Sequence, residues 1–77
     1  MKEYRTEGPR IELHGNRVAV IDGCDGIVDY DDNKVVVNMN RLIAELTGKK
    51  LKLKLLTENS AVVEGFIFGV HYELKRG

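Results

Sequence analysis

The chain has 77 residues, of which 43% are hydrophobic, and its twelve basic side chains are balanced by twelve acidic ones. This length supports a single hydrophobic core, and the balanced charge excludes a general electrostatic attraction to nucleic acid or to anionic membranes. Residues 1–8 lack periodicity and precede the only proline, so they predict a flexible N-terminal tail before one domain over residues 9–77.

The location of the protein is indicated by its single cysteine and by the length of its apolar runs. One cysteine, Cys24, excludes an intramolecular disulfide and favours a reducing, cytoplasmic compartment. No apolar run approaches the roughly 20 residues that cross a bilayer, so no membrane span is expected.

Alternating apolar and polar residues predict a series of strands in the first half of the domain. The alternating runs are residues 10–14, 17–21, 27–30 and 34–39. Gly15-Asn16 is a favourable hairpin turn between the first two runs, and the last run contains three consecutive valines.

Residues 41–46 are compatible with two structures. Arg-Leu-Ile-Ala-Glu-Leu contains good helix formers, but a helix of six residues is marginal in water. The alternation of Leu42, Ala44 and Leu46 favours a strand, and Gly48 then predicts a turn.

Residues 49–56 alternate lysine with leucine, which is the pattern of a half-buried strand. The leucines are expected to face the core and the lysines to face solvent: Leu51, Leu53 and Leu55 inward, Lys50, Lys52 and Lys54 outward.

The last stretch, residues 61–75, also predicts a strand. Gly65 and Gly69 are expected at bulges or bends of this strand. Its apolar residues at period two are expected to carry much of the core: Phe66, Phe68, Val70, Tyr72 and Leu74.

Together these runs predict an all-β domain of seven to eight short, mostly antiparallel strands. A sandwich and a partly open barrel both fit turns that recur about every 8 to 10 residues. A short β-solenoid is the alternative, although no strict repeat with a fixed glycine ladder is present.

The sequence contains no convincing catalytic or metal site. Asp29, Asp31 and Asn33 match the start of a calcium-binding loop, but the required glycine and bidentate glutamate are missing from the later positions. The two histidines are far apart, and the carboxylates flanking Cys24 disfavour a reactive thiolate. We therefore expect a non-enzymatic protein without metal or cofactor.

Charge is segregated along the chain despite the overall balance. Five aspartates and no cation lie between positions 22 and 33, whereas residues 34–77 contain eight Lys or Arg and four Glu. This division suits either ordinary solvation of two surfaces or the pairing of subunits. The candidate interaction surface therefore comprises Lys50, Lys52, Lys54, Asp22, Asp25, Asp29, Asp31 and Asp32.

The lysine strand itself has three interpretations. Lysines on an exposed strand prevent edge-to-edge aggregation, and they also suit a protein partner or the phosphates of RNA. No aromatic residue is interleaved with the lysines, which disfavours nucleic acid.

From Pro9 onward the chain resembles the YabP/YqfC family of small sporulation proteins. The resemblance is carried by residues 9–16 (PRIELHGN), 26–30 (GIVDY), 46–54 (LTGKKLKLK), 62–65 (VVEG) and the ending through 72–74 (YEL). It implies a non-enzymatic role in building the bacterial endospore, in the cytoplasm of the mother cell. The implied partners are other sporulation proteins. The protein itself is a further expected partner, because a 77-residue chain buries little surface and oligomerisation adds to it.

The chain departs from that family in a shorter N-terminal extension and in Asn40-Arg41-Leu42, where a turn with threonine or glycine is expected. The alternative function is that of a small β-barrel binding RNA or another polyanion through Lys50, Lys52 and Lys54.

Overall fold

The computed structural model describes residues 9–75, which form six β-strands and no helix. The strands are β1 (Arg10–His14), β2 (Val18–Asp22), β3 (Ile27–Asp31), β4 (Lys34–Met39), β5 (Leu42–Leu56) and β6 (Ser60–Leu74). They form one open antiparallel sheet in the order β1-β2-β6-β5-β4-β3. The all-β prediction is confirmed, whereas the predicted tail, residues 1–8, lies outside the described residues.

The strand count is six rather than the predicted seven or eight, because β5 continues through Gly48. A Cβ atom at this position would collide with the carbonyl oxygen of Phe66, so the glycine permits close approach of two strands. Residues 42–46 form the start of β5, Arg41 lies in the turn before it, and the helix alternative is wrong.

The long β5–β6 hairpin is the frame of the molecule. The β1–β2 hairpin pairs with residues 60–64 of β6, and the β3–β4 hairpin pairs with residues 42–47 of β5. The two small hairpins therefore flank opposite ends of the long one. Between these ends the β5–β6 register shifts, with Lys50 and Gly65 at positive φ angles of 53° and 147°.

One core is shared by both ends of this bent sheet. Its buried members are Ala19, Ile21, Cys24, Val35, Val37, Met39, Ala44, Leu46, Leu51, Ala61, Val63 and Ile67. A single flat sheet leaves both faces in water, so the complete burial of Ile21 on β2 and Val37 on β4 requires that the two ends cover each other. Backbone hydrogen bonds support this closure: the amide of Leu51 donates to the carbonyl of Asp32, and the amide of Ile67 donates to that of Asn16, both at 2.8 Å.

The lysine–leucine strand follows its predicted alternation only in part. Leu51 is buried and Leu53 is half-buried against the core, but Leu55 is 50% exposed. A register shift between Leu53 and Leu55 places Leu55 opposite Val62, on the outer face of the sheet. The inward assignment of Leu55 was therefore wrong.

The C-terminal strand contributes less to the core than its pattern predicts. Phe66 and Phe68 are exposed, and Ile67 is buried between them. The cause is an extra residue in β6: Thr47 lies opposite Gly69 while Gly48 lies opposite Ile67, so the alternation changes at Phe68.

Candidate interaction surface

Two of the three predicted lysines line a groove at the bend of the sheet. Lys50 sits at the irregular part of β5, and Lys52 lies opposite Glu64 of β6. The groove has a volume of about 400 Å³ and is lined by Arg17, Val18, Lys50, Lys52, Glu64, Gly65 and Phe66. We call it the basic groove, since it contains three cations and one carboxylate. Lys54 is exposed on β5 but does not line the basic groove.

Arg17 makes two contacts with residues of β6 in the basic groove. It belongs to the turn between β1 and β2, and its Nε donates a hydrogen bond to the carbonyl of Gly65 at 3.2 Å. Its Cζ lies 4.4 Å from the centre of the Phe66 ring, in a cation–π contact. These two contacts fix the guanidinium, which is able to bind a carboxylate or a phosphate through two hydrogen bonds.

Reasoning from the sequence missed both Arg17 and Phe66. Neither lies near the lysines along the chain, because Arg17 comes from a turn and Phe66 comes from β6. The pairing of Lys49 with Phe66 places an aromatic side chain beside the lysine strand. The sequence of residues 49–56 therefore gives no indication of this aromatic neighbour.

Three of the five predicted aspartates have local partners. Asp22 on β2 accepts a hydrogen bond from Ser60 Oγ at 2.7 Å and lies 3.6 Å from Nη2 of Arg10. Asp29 lies 3.5 Å from Nζ of Lys34, and Asp31 accepts the backbone N–H of Asn33 at 2.7 Å. Asp22 and Asp29 thus join neighbouring strands, and Asp31 stabilises the turn between β3 and β4.

The other two aspartates are exposed in connecting segments. Asp25 belongs to the loop between β2 and β3, and Asp32 to the turn between β3 and β4. The carbonyl of Asp32 accepts the amide of Leu51, so this acidic turn lies beside the lysine strand of the same chain. Within residues 9–75, no ion pair joins the predicted aspartates to the predicted lysines.

Residues suited to metal binding or catalysis are dispersed. Among residues 9–75, no group of three or more His, Cys, Asp or Glu side chains is placed to hold a metal ion. His14 and His71 each lie near a glutamate of their own strand, at 4.0 Å from Glu12 and 3.9 Å from Glu73. Cys24 is buried as a small apolar member of the core.

Among residues 9–75, no segment forms a helix long and apolar enough to cross a bilayer.

Comparison with known proteins supports the resemblance found in the sequence. The model of the YabP family matches residues 5–77, which is nearly the whole chain. None of the curated proteins and none of the solved structures matches it. Because the family match spans the strands, the bend and the basic groove, the chain belongs to the YabP family, a sporulation-associated family.

Proposed function

We propose that this protein is a non-enzymatic assembly protein of bacterial endospore formation, which acts by binding other proteins in the cytoplasm of the mother cell. Membership of the YabP family supports the link to sporulation. The observation that carries the binding role is the basic groove, which Arg17, Lys50 and Lys52 line together with Phe66.

The groove is best suited to an acidic, partly apolar segment of a partner protein. Its cations attract carboxylates, while Val18 and Phe66 offer apolar contact between them. Exposed ion pairs contribute only about 0.2–1 kcal/mol each, so apolar contact has to supply much of the affinity. Glu64 at the groove wall adds selectivity, because it repels partners that carry a carboxylate at that point.

Binding of RNA or another polyanion is the second candidate, and one observation favours it. Phe66 places an aromatic ring beside the lysines, and the sequence of the lysine strand did not reveal this ring. Two features favour the protein partner instead. Arg17 already lies over the Phe66 ring, where a base would stack, and the acidic turn at Asp32 borders the lysine strand.

The role is tested by reversing charge inside and outside the groove in the native sporulating bacterium. The double variant Arg17→Glu/Lys52→Glu should lower spore yield, because it removes two of the three groove cations. The matched control Arg41→Glu/Lys54→Glu makes the same change in net charge at exposed positions that do not line the groove. Both variant proteins must accumulate and melt like the parent protein for the comparison to count.

Equal spore yields from the two variants would contradict the role of the basic groove.

The two candidate ligands are distinguished with a single-stranded RNA probe at two salt concentrations. Binding to phosphates weakens steeply with salt, at a slope set by the number of contacts. Tight RNA binding that the groove variant abolishes would favour the polyanion, and absence of RNA binding would favour the protein partner.

A further inference from the structure

The described residues leave four strand edges unpaired, and three of them carry charges that discourage pairing with another chain. The edge strand β1 is five residues long and contains Arg10, Glu12 and His14, and β3 contains Asp29 and Asp31. The C-terminal half of β5 carries the three lysines. Short length and charged side chains are the usual protection of an edge.

The fourth edge, the C-terminal half of β6, is longer than β1 or β3 and has two side chains of this kind, His71 and Glu73. The strand β2 pairs with β6 only through residues 60–64, and the turn at Asn16 reaches β6 at Ile67. Beyond that point, residues 68–74 pair with β5 alone. This seven-residue segment, the β6 edge, has no lysine or proline.

Three large apolar side chains of the β6 edge are exposed. The exposed fractions are 68% for Phe68, 48% for Tyr72 and 78% for Leu74. Tyr72 and Leu74 lie opposite Ala44 and Leu42, so they point to the concave side of the sheet yet stay outside the shared core. An unpaired backbone edge flanked by exposed apolar side chains is a template for an additional strand.

We propose that the β6 edge pairs with the β6 edge of a second copy of this chain, antiparallel and with Tyr72 opposite Tyr72 of the partner subunit. This register is self-complementary, because His71 then lies opposite the partner's Glu73 and Glu73 lies opposite the partner's His71. Each imidazole N–H is thereby placed to donate a hydrogen bond to a carboxylate of the other copy. On the other side of the sheet, Val70 lies opposite the partner's Leu74. The register centred on His71 would instead place Glu73 opposite Gly69 of the partner subunit and lose both histidine–glutamate contacts.

The pairing creates a two-fold dimer in which the β3-β4-β5-β6 part of each sheet continues into its partner. It covers Tyr72 and Leu74 with apolar side chains of the other copy. The basic groove lies at the bend, before residue 68, so each dimer presents two grooves. Two linked sites bind a multivalent partner more tightly than one.

Cysteine cross-linking tests the register directly. In this dimer Tyr72→Cys places two thiols directly opposite each other, within the roughly 4.4–6.8 Å Cα separation of a disulfide. The matched control is Phe68→Cys, an exposed position on the same strand. It would lie about 27 Å from its counterpart, since eight residues at about 3.3 Å separate the two. Mild oxidation should give a covalent dimer for Tyr72→Cys and none for Phe68→Cys. Equal cross-linking of the two variants would overturn the proposed register.

Sedimentation tests the association without a covalent link. The parent chain should shift from monomer to dimer between about 10 and 500 µM, the range in which a weak complex becomes populated. Leu74→Lys, at an exposed position, should weaken the dimer by roughly tenfold or more by placing a cation in the apolar contact. His71→Glu should also weaken it, and the double variant His71→Glu/Glu73→Lys should restore it by exchanging the charges.

The same measurement separates this dimer from other modes of association and from the proposed function. Lys52→Glu/Lys54→Glu should leave dimerisation unchanged, whereas a head-to-tail contact between aspartates and lysines would be lost. The groove variant Arg17→Glu/Lys52→Glu should likewise still dimerise. A wrong proposal for the basic groove would therefore leave dimerisation intact, whereas a wrong proposal for the β6 edge would leave the parent chain monomeric. A chain that stays monomeric at 500 µM would overturn the proposal.

Discussion

Gly48 and Gly65 determine where the two long strands come together. A side chain at Gly48 would meet the backbone of Phe66, and a Cβ atom at Gly65 would lie 2.9 Å from Cα of Leu51. Gly65 also has a φ of 147°, which other residues rarely adopt. The sequence predicted a bulge or bend at Gly65, but it suggested a turn at Gly48. The reason is that Gly48 closely approaches a strand some 18 residues further along the chain, and such a contact leaves no pattern in the sequence around the glycine.

Gly48→Ala should destabilise the protein by about 1–3 kcal/mol or more, because the obstructing atoms are backbone atoms that cannot rotate away. Gly69→Ala is the matched control on the same hairpin. There the added Cβ would lie 3.6 Å from Oγ1 of Thr47, an ordinary contact, so we expect a change within about 0.5 kcal/mol. Urea denaturation measures both, and equal midpoints would contradict the proposed crossing at Gly48.

At the level of elements, alternation predicted the strands well and their facing residues less well. The runs at residues 10–14, 27–30 and 34–39 correspond closely to β1, β3 and β4. In β5 the predicted face fails after the register shift, at Leu55, and in β6 it fails before and at the shift, at Phe66 and Phe68. These shifts arise where two long strands bend across each other, and period-two patterns assume a regular ladder.

Truncating each of two leucines of β5 to alanine tests which face of the sheet that leucine occupies. Leu51→Ala should cost about 2–5 kcal/mol, enough to unfold much of a domain this small, because Leu51 is only 1% exposed. Leu55→Ala removes the same atoms from the outer face and should cost about 1 kcal/mol or less. Thermal melting distinguishes the two, and similar shifts in Tm would show that the register shift after Leu53 is misplaced.

At the level of the whole molecule, the site was less predictable than the fold. The alternating lysines indicated part of the basic groove. Two other residues that line it, Arg17 and Phe66, come from a distant turn and a distant strand. The aspartates were grouped because they are neighbours in sequence. The structure instead gives Asp22 and Asp29 separate partners on different strands. Sites made by tertiary contacts have no sequence spacing to reveal them.

A shared core also makes the two ends of the sheet depend on each other for stability. Val63 belongs to the end with β1 and β2, Leu46 belongs to the end with β3 and β4, and both side chains are fully buried. Neither end covers its own apolar face, so we expect one cooperative unfolding transition rather than two. The mild substitution Ile21→Val should therefore weaken both ends, although Ile21 lies on β2 alone.

Amide hydrogen exchange measures this coupling residue by residue. Ile21→Val should cost about 0.5–1.5 kcal/mol, and the amides of Val63 and Leu46 should exchange faster by the same factor, roughly two- to tenfold. Val36→Ala is the control, since Val36 lies on the outer face of β4 opposite Glu45 and should change neither rate by more than about twofold. Faster exchange at Val63 with an unchanged rate at Leu46 would mean that the two ends unfold separately, and the bent sheet would then be two independent hairpin layers instead of one cooperative domain.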